Sequence, residues 1–239
     1  MSLRTTVSIA AAVLFALPLV GCQTNPEQTA KPPATTTGAA PKAQPTAETP
    51  KGPISPALLA PSKATEKAPD KFKAKFTTTK GAFTVEVNRD WAPNGADRFY
   101  NLVKIGFFSD IAFFRAVDGF MVQFGIHGDP QVSSAWRDAR IPDDTGKQSN
   151  KPGYLTFATS GPNSRTTQIF INYGDNARLD AMGFPPIGQV VEGMDVLNSL
   201  YKIYGETPSR SQMQIQTMGN AYLRSTFPNL DYIKSAAVL

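Results

Sequence analysis

What this 239-residue chain has little of narrows its chemistry first. It holds one cysteine, Cys22, and one histidine, His127. A lone cysteine excludes an intramolecular disulfide and any thiolate metal cluster, and a lone histidine excludes a two-histidine zinc motif such as H-E-x-x-H. No G-x-x-x-x-G-K-[ST] phosphate loop, no dinucleotide G-x-G-x-x-G and no G-x-S-x-G nucleophile elbow occurs. Neither a cofactor nor a metal is therefore expected. Lys and Arg exceed Asp and Glu by 24 to 19, a formal charge of +5 with no basic run, and so mild an excess gives no footprint for nucleic acid. His127 is expected in a solvent-exposed loop, and the adjacent Asp143 and Asp144 as solvated acids.

Aromatic residues are missing from residues 23–70, where ten of the twenty prolines fall among many Ala, Thr and Lys. Such a segment buries too little apolar surface to offset the conformational entropy of folding. Residues 22–71 are accordingly predicted to be a disordered tether, partly polyproline II, able to reach about 150 Å at ~3.1 Å per residue. The apolar patch at residues 54–59 reads as incidental. Residues 1–21 combine Arg4, an apolar run over residues 7–20 and a small residue, the pattern of a secretory signal peptide that is too short for a membrane span. Leu19-Val20-Gly21-Cys22 resembles the bacterial lipoprotein lipobox. That resemblance implies acylation of Cys22 and a lipid anchor in the membrane. With Gln23 and Thr24 following, it also implies a place in the cell envelope at the outer membrane, facing the periplasm.

A folded domain is predicted over residues 72–239. Phe72, Ala74, Phe76 and Thr78 alternate, Lys80-Gly81 makes a turn, and Phe83, Val85 and Val87 alternate in return, a hairpin with one buried face. A helix follows from Pro93 or Asn94, with Ala96, Phe99, Leu102 and Val103 on one side, and stops at Gly106. Two apolar runs, residues 111–117 and 120–124, flank Asp118-Gly119, a strong hairpin signal. Further strands are predicted at residues 154–159, 168–172, 187–191 and 213–218, a second helix at 194–201 and a final one at 230–237. Residues 124–152 read as an irregular surface excursion. Eight antiparallel strands can close into a barrel or stack as a sandwich, and the pattern alone leaves both open.

The 113–123 stretch carries the chemistry. Arg115 is its one cation, set among Phe113, Phe114, Phe120 and Met121, with Gln123 two positions beyond Met121. Strand periodicity puts Phe113, Arg115 and Val117 on one face and Met121 with Gln123 on one face of the return strand, so a guanidinium and an amide can share an apolar sheet face. Here the chain resembles the cyclophilins, peptidyl-prolyl isomerases marked by Phe-x-Arg followed by Gly-Phe-Met-x-Gln. Phe113, Arg115, Gly119, Phe120, Met121 and Gln123 match, and Ala158-Thr-Ser-Gly-Pro-Asn-Ser-Arg-Thr-Thr-Gln-Ile-Phe-Ile171 is similar to the family's Gly-Pro-Asn loop and Gln-x-Phe-Ile strand.

The resemblance, which spans residues 72–217, implies a mainly β fold: a closed eight-stranded antiparallel barrel capped by two helices. It implies an isomerase in which Arg115, Phe120 and Gln123 are catalytic. Phe113, Met121, Thr159, Gln168, Phe170, Leu179 and Phe184 would bind the substrate. Its partners would be proline-containing segments of exported proteins, and the alternative is a chaperone or scaffold that binds such segments in the same groove with little turnover. Where the family usually has a histidine at the pocket rim, Phe184 stands, and Arg178 replaces the aromatic residue that often precedes Leu179-Asp180.

Overall fold

The computed structural model describes residues 54–239. The leader, Cys22 and residues 23–53 of the predicted tether lie outside the described residues. The described residues form one nine-stranded antiparallel sheet: β1 Lys71–Thr78, β2 Ala82–Asn88, β3 Ile111–Ala112, β4 Arg115–Val117, β5 Met121–Phe124, β6 Tyr154–Phe157, β7 Ile169–Asn172, β8 Pro186–Glu192 and β9 Tyr232–Val238. The spatial order is β3-β9-β1-β2-β8-β6-β7-β5-β4. The two end strands, β3 and β4, are consecutive in the chain and divided only by Phe113 and Phe114. Chain continuity therefore brings the two edge strands close and curls the sheet into a barrel-like layer of nine strands where eight were expected, with no ladder between β3 and β4 to close it.

The inward face of the sheet builds the core. Along β1, Phe72, Ala74, Phe76 and Thr78 are buried in strict alternation. Phe76 stacks on its direct cross-strand partner Phe83 at a centroid distance of 4.8 Å, the kind of aromatic pair that fixes register. Helix α1, Pro93–Lys104, lays Ala96, Phe99, Leu102 and Val103 against this layer, as its helical spacing predicts.

Of the two acids expected in solvent, Asp143 is exposed and Asp144 is not. The Asp144 side chain is buried: it accepts from the backbone N–H groups of Asn94 and Gly95, both at 2.9 Å, at the start of α1. A carboxylate there satisfies orphan donors and meets the positive end of the helix. Arg165, which has no exposed side-chain surface, completes the arrangement with an ion pair to Asp144 at 2.9 Å. Gly95 is required at this point, because a Cβ would sit 2.8 Å from Ile187 and 3.2 Å from the Arg165 guanidinium.

Four other expectations are corrected. Residues 54–70 are not a free tether: Ile54, Leu58 and Ala64 pack on the core and Ala68 is buried. Trp136 Nε1 donates to the Leu58 carbonyl at 2.8 Å, Asn101 exchanges bonds with the backbone of Glu66, and Ala68 N–H donates to Asp97. Proline is no obstacle, since Pro56 and Pro61 each start a short 3₁₀ turn, where their fixed φ lowers the entropy lost on ordering. The excursion over residues 124–152 contains helix α2, Pro130–Trp136, capped by Asp129.

After α3, Met194–Asn198, the last two predicted elements exchange type. Residues 213–218 belong to helix α4, Gln212–Thr226, and the expected final helix is strand β9. Ile215, Gly219 and Leu223 recur every four residues and share its buried face, a helical period hidden by the accidental alternation of Met213, Ile215 and Thr217. The helix breaks at Gly219, whose φ of 61° and close approach to the Gly128 carbonyl exclude a side chain. The alanines of β9 favour a helix intrinsically, but pairing with β1 and β3 overrides that preference.

Candidate active site

The β4–β5 hairpin turns at Asp118-Gly119, with Gly119 at φ 68°. Its register sets Arg115 opposite Gln123 and Val117 opposite Met121, and β5 in turn sets Gln123 opposite Phe170 of β7. Ala116, Val122, Phe124, Ile169 and Ile171 point into the main core. Arg115, Met121, Gln123 and Phe170 therefore fall on the outer face of the barrel.

On that outer face Met121, Phe170 and Leu179 form a separate buried cluster, joined by the partly buried Phe120, Ala158 and Phe184. Phe184 meets Phe170 edge-on at 5.9 Å. Leu179 and Phe184 arrive from a segment that a buried polar network holds in place. Asn150 donates to the carboxylate of Asp180 and to the Phe184 carbonyl, both at 2.8 Å. Asn176 donates to the Phe120 carbonyl and to Asn172, and Asn172 and Thr156 both donate to the Asn150 side-chain oxygen. Burial pushes the Asp180 carboxyl up, but bonds from Ser149 and from both nitrogens of Asn150 outweigh it and leave it below its ordinary range. Such a fully connected network is rigid.

Arg115 stands beside this apolar cluster. Its Nη1 donates to Gln123 Oε1 at 3.3 Å, Nη2 donates to the carboxylate of Glu206, and its guanidinium lies 5.5 Å from the Phe120 ring centroid. The hydrogen bond and charge of Arg115 hold the Glu206 carboxyl below its ordinary range. Arg178 covers the same ring at 4.8 Å. Gln123 passes a hydrogen bond on to Gln168 at 2.8 Å, and Gln168 to Gln212 at 3.1 Å.

Gln123 and Gln168 also border a hollow of about 380 Å³, lined among others by Thr159, Gln212, Gln216, Arg137 and His127. Thr159 is half-buried at its edge, with its hydroxyl donating to the Gly161 carbonyl at 2.6 Å. His127 is not exposed as expected: it is 7% accessible, its Nδ1 accepts from the Asp129 N–H at 3.0 Å, and its ring packs on Phe107.

Of the residues expected at the site, Arg115, Phe120, Met121, Gln123, Gln168, Phe170, Leu179 and Phe184 are brought together, with Thr159 at the margin. Phe113 is not among them. It is 1% exposed and sits in the main core, 5.4 Å from the Phe124 ring centroid. The strand breaks at Phe113 and Phe114, so the alternation that would place Phe113 beside Arg115 is interrupted. Glu206, Gln212 and the Asn150 network were missed, and no local motif marks them.

The barrel thus carries a cation and a separate apolar cluster side by side on its outer face. The family model described as cyclophilin type peptidyl-prolyl cis-trans isomerase/CLD matches residues 73–220. Peptidyl-prolyl cis-trans isomerase B of Escherichia coli is 31% identical over 146 residues, covering 58% of this chain and 87% of that protein. Peptidyl-prolyl cis-trans isomerase A of Dickeya dadantii is 32% identical over 137 residues, covering 55% and 72%. Peptidyl-prolyl cis-trans isomerase-like 2 of Rhizopus delemar is 30% identical over 158 residues, 63% of this chain but only 29% of that longer protein. A crystal structure of a Cryptosporidium parvum cyclophilin type isomerase superposes with a TM-score of 0.51 at 19% identity, over 71% of this chain and 98% of that one, a likeness of fold. The chain belongs to the cyclophilin-type peptidyl-prolyl cis-trans isomerases, a family of enzymes.

Proposed function

We propose that this chain accelerates rotation about X-Pro bonds of exported proteins, with Arg115 as the group that stabilises the twisted amide. Uncatalysed rotation gives up amide resonance against a barrier near ~20 kcal/mol and takes tens of seconds or longer. No bond breaks, so catalysis requires only that the twisted form be bound better than either planar isomer. The apolar cluster of Met121, Phe170 and Leu179, with Phe120 and Phe184 at its edge, is the surface that takes the proline ring. In the twisted state the prolyl nitrogen regains a lone pair, and a fixed guanidinium N–H donated to it acts only there. Gln123 steadies Arg115, and the margin at Thr159 and Gln168 receives the peptide backbone as it leaves the cluster.

The observation that carries this reading is Arg115 held by Gln123 beside an apolar cluster that is separate from the main core. A proline-peptide isomerisation assay on Arg115→Ala tests it. The expected fall is about 10² or more, the scale of losing one transition-state donor, with the melting temperature unchanged. A folded variant of full activity would overturn it. Peptide binding without turnover in the wild-type chain would identify a proline-binding chaperone instead.

A further inference from the structure

Between α3 and β9 the chain runs over residues 199–231, and this excursion meets the site at four points. Lys202 pairs with Asp118 in the hairpin turn at 2.6 Å. The Gly205 carbonyl accepts from the Ala116 N–H at 3.3 Å, alongside β4. The Glu206 carboxylate takes Nη2 of Arg115, and Gln212 accepts from Gln168 at 3.1 Å.

The excursion is anchored. Tyr204 packs on Phe227 at 5.2 Å and on Tyr201 at 4.9 Å, and it leans on a second apolar cluster that includes Phe114, Ile215 and Leu223. Both the backbone N–H and the hydroxyl of Ser209 donate to the Glu206 carbonyl, at 3.1 and 2.7 Å. Glu206 thus projects from a fixed wall.

Gln123 alone holds Arg115 weakly. A neutral hydrogen bond of 3.3 Å is at the long end of the useful range, and a guanidinium on a long stem held at one point can swing about it. A charge-assisted bond at the other terminal nitrogen supplies a second fixed point, and the rigid fork converts two points into one orientation.

We propose that Glu206 is a positioning residue for the isomerase reaction, holding one terminal nitrogen of the Arg115 guanidinium while Gln123 holds the other, so that its remaining N–H groups face the prolyl nitrogen. The inference rests on the reading of Arg115 as the transition-state donor. An imprecise donor loses rate more than affinity, because the apolar cluster that takes the proline ring is untouched.

The test is Glu206→Gln in the full chain, a change that keeps shape and removes charge. The expected result is a fall in kcat of about tenfold, the scale of a small misplacement near the reacting atoms, with KM within about twofold, since ground-state binding is retained. Arg115 side-chain N–H resonances are expected to be separate in the wild type, where two fixed points restrict rotation, and to merge in the variant. Glu206→Asp, one methylene short but still charged, should give an intermediate kcat and, because it keeps the ion pair, guards against a folding defect in the first variant. Unchanged or raised kcat in folded Glu206→Gln overturns the proposal, a rise meaning that the carboxylate competes for the guanidinium. Arg115→Ala in the same assay separates the two claims. If that variant is fully active the donor reading fails, whereas its collapse beside a wild-type-like Glu206→Gln removes Glu206 alone.

Discussion

Arg115 shows how a single residue depends on its neighbours' chemistry. Its place on the outer face follows from strand alternation, and Gln123 and Met121 were legible for the same reason. Asp97 illustrates a structural counterpart. Burial pushes its carboxyl up, but the bidentate bond from Arg89 at 2.7 and 2.8 Å, the Ala68 N–H and the charges of Arg89 and Lys67 outweigh that and depress it. A depressed carboxyl stabilises the fold fully above its unfolded value of about 3.9, and the contribution is lost as pH falls through the lower folded value. Wild-type stability is therefore expected to decline below about pH 4. Asp97→Asn should cost about 1.5–3 kcal/mol at neutral pH, the value of a hydrogen bond to a charged group, and should show a shallower acid decline. Thermal melts of both chains between pH 3 and 7 check this, and parallel curves would refute it.

At the scale of elements, the strongest local patterns survived and weak or mixed ones did not. The β1–β2 and β4–β5 hairpins and α1 carry period and turn signals that agree. The α4 and β9 segments carry ambiguous patterns that neighbours resolve. The strap over residues 54–70 is the clearest case of order that composition hides, because its apolar partners lie elsewhere, in Trp136 and in the α1 face. Deleting residues 54–70 from the otherwise complete chain would leave the Trp136 indole, Asn101 and Asp97 without their strap partners. The melting temperature should fall by about 5 °C or more, as a loss of a few kcal/mol implies for a domain of this size. An unchanged melting temperature in scanning calorimetry would mean that the strap contributes no stability.

For the whole molecule, the barrel keeps its core inside and its chemistry outside, so an extended peptide can reach the apolar cluster without the barrel opening. Among the described residues no helix is long and apolar enough to cross a membrane. We propose attachment through lipidated Cys22, with the domain at the outer membrane facing the periplasm, where it would meet exported chains. One acyl chain binds a bilayer only marginally, so a stable anchor requires the two or more chains that lipoprotein processing adds. Fatty-acid labelling of wild type and Cys22→Ser is the measurement. Label is expected on the wild type alone, with the variant left as uncleaved precursor. An unlabelled wild type would remove the anchor.

The sequence by itself determined what is local: two hairpins with their faces, the first helix, and the Arg115, Met121 and Gln123 positions that share the outer surface by strand period. These follow from interactions among residues close in the chain or paired in simple register. Tertiary structure alone decided that Phe113 turns inward at the strand break, that the Asp144 side chain is buried at the start of α1, and that residues 212–226 are helical. It alone brought Glu206 to Arg115 across 91 residues of chain and closed the network from Asn150 to Phe184 across 34. Those contacts are set by where the barrel puts its loop ends, a geometry that exists only once the sheet has curled, and the residues involved have no periodic or turn signature of their own.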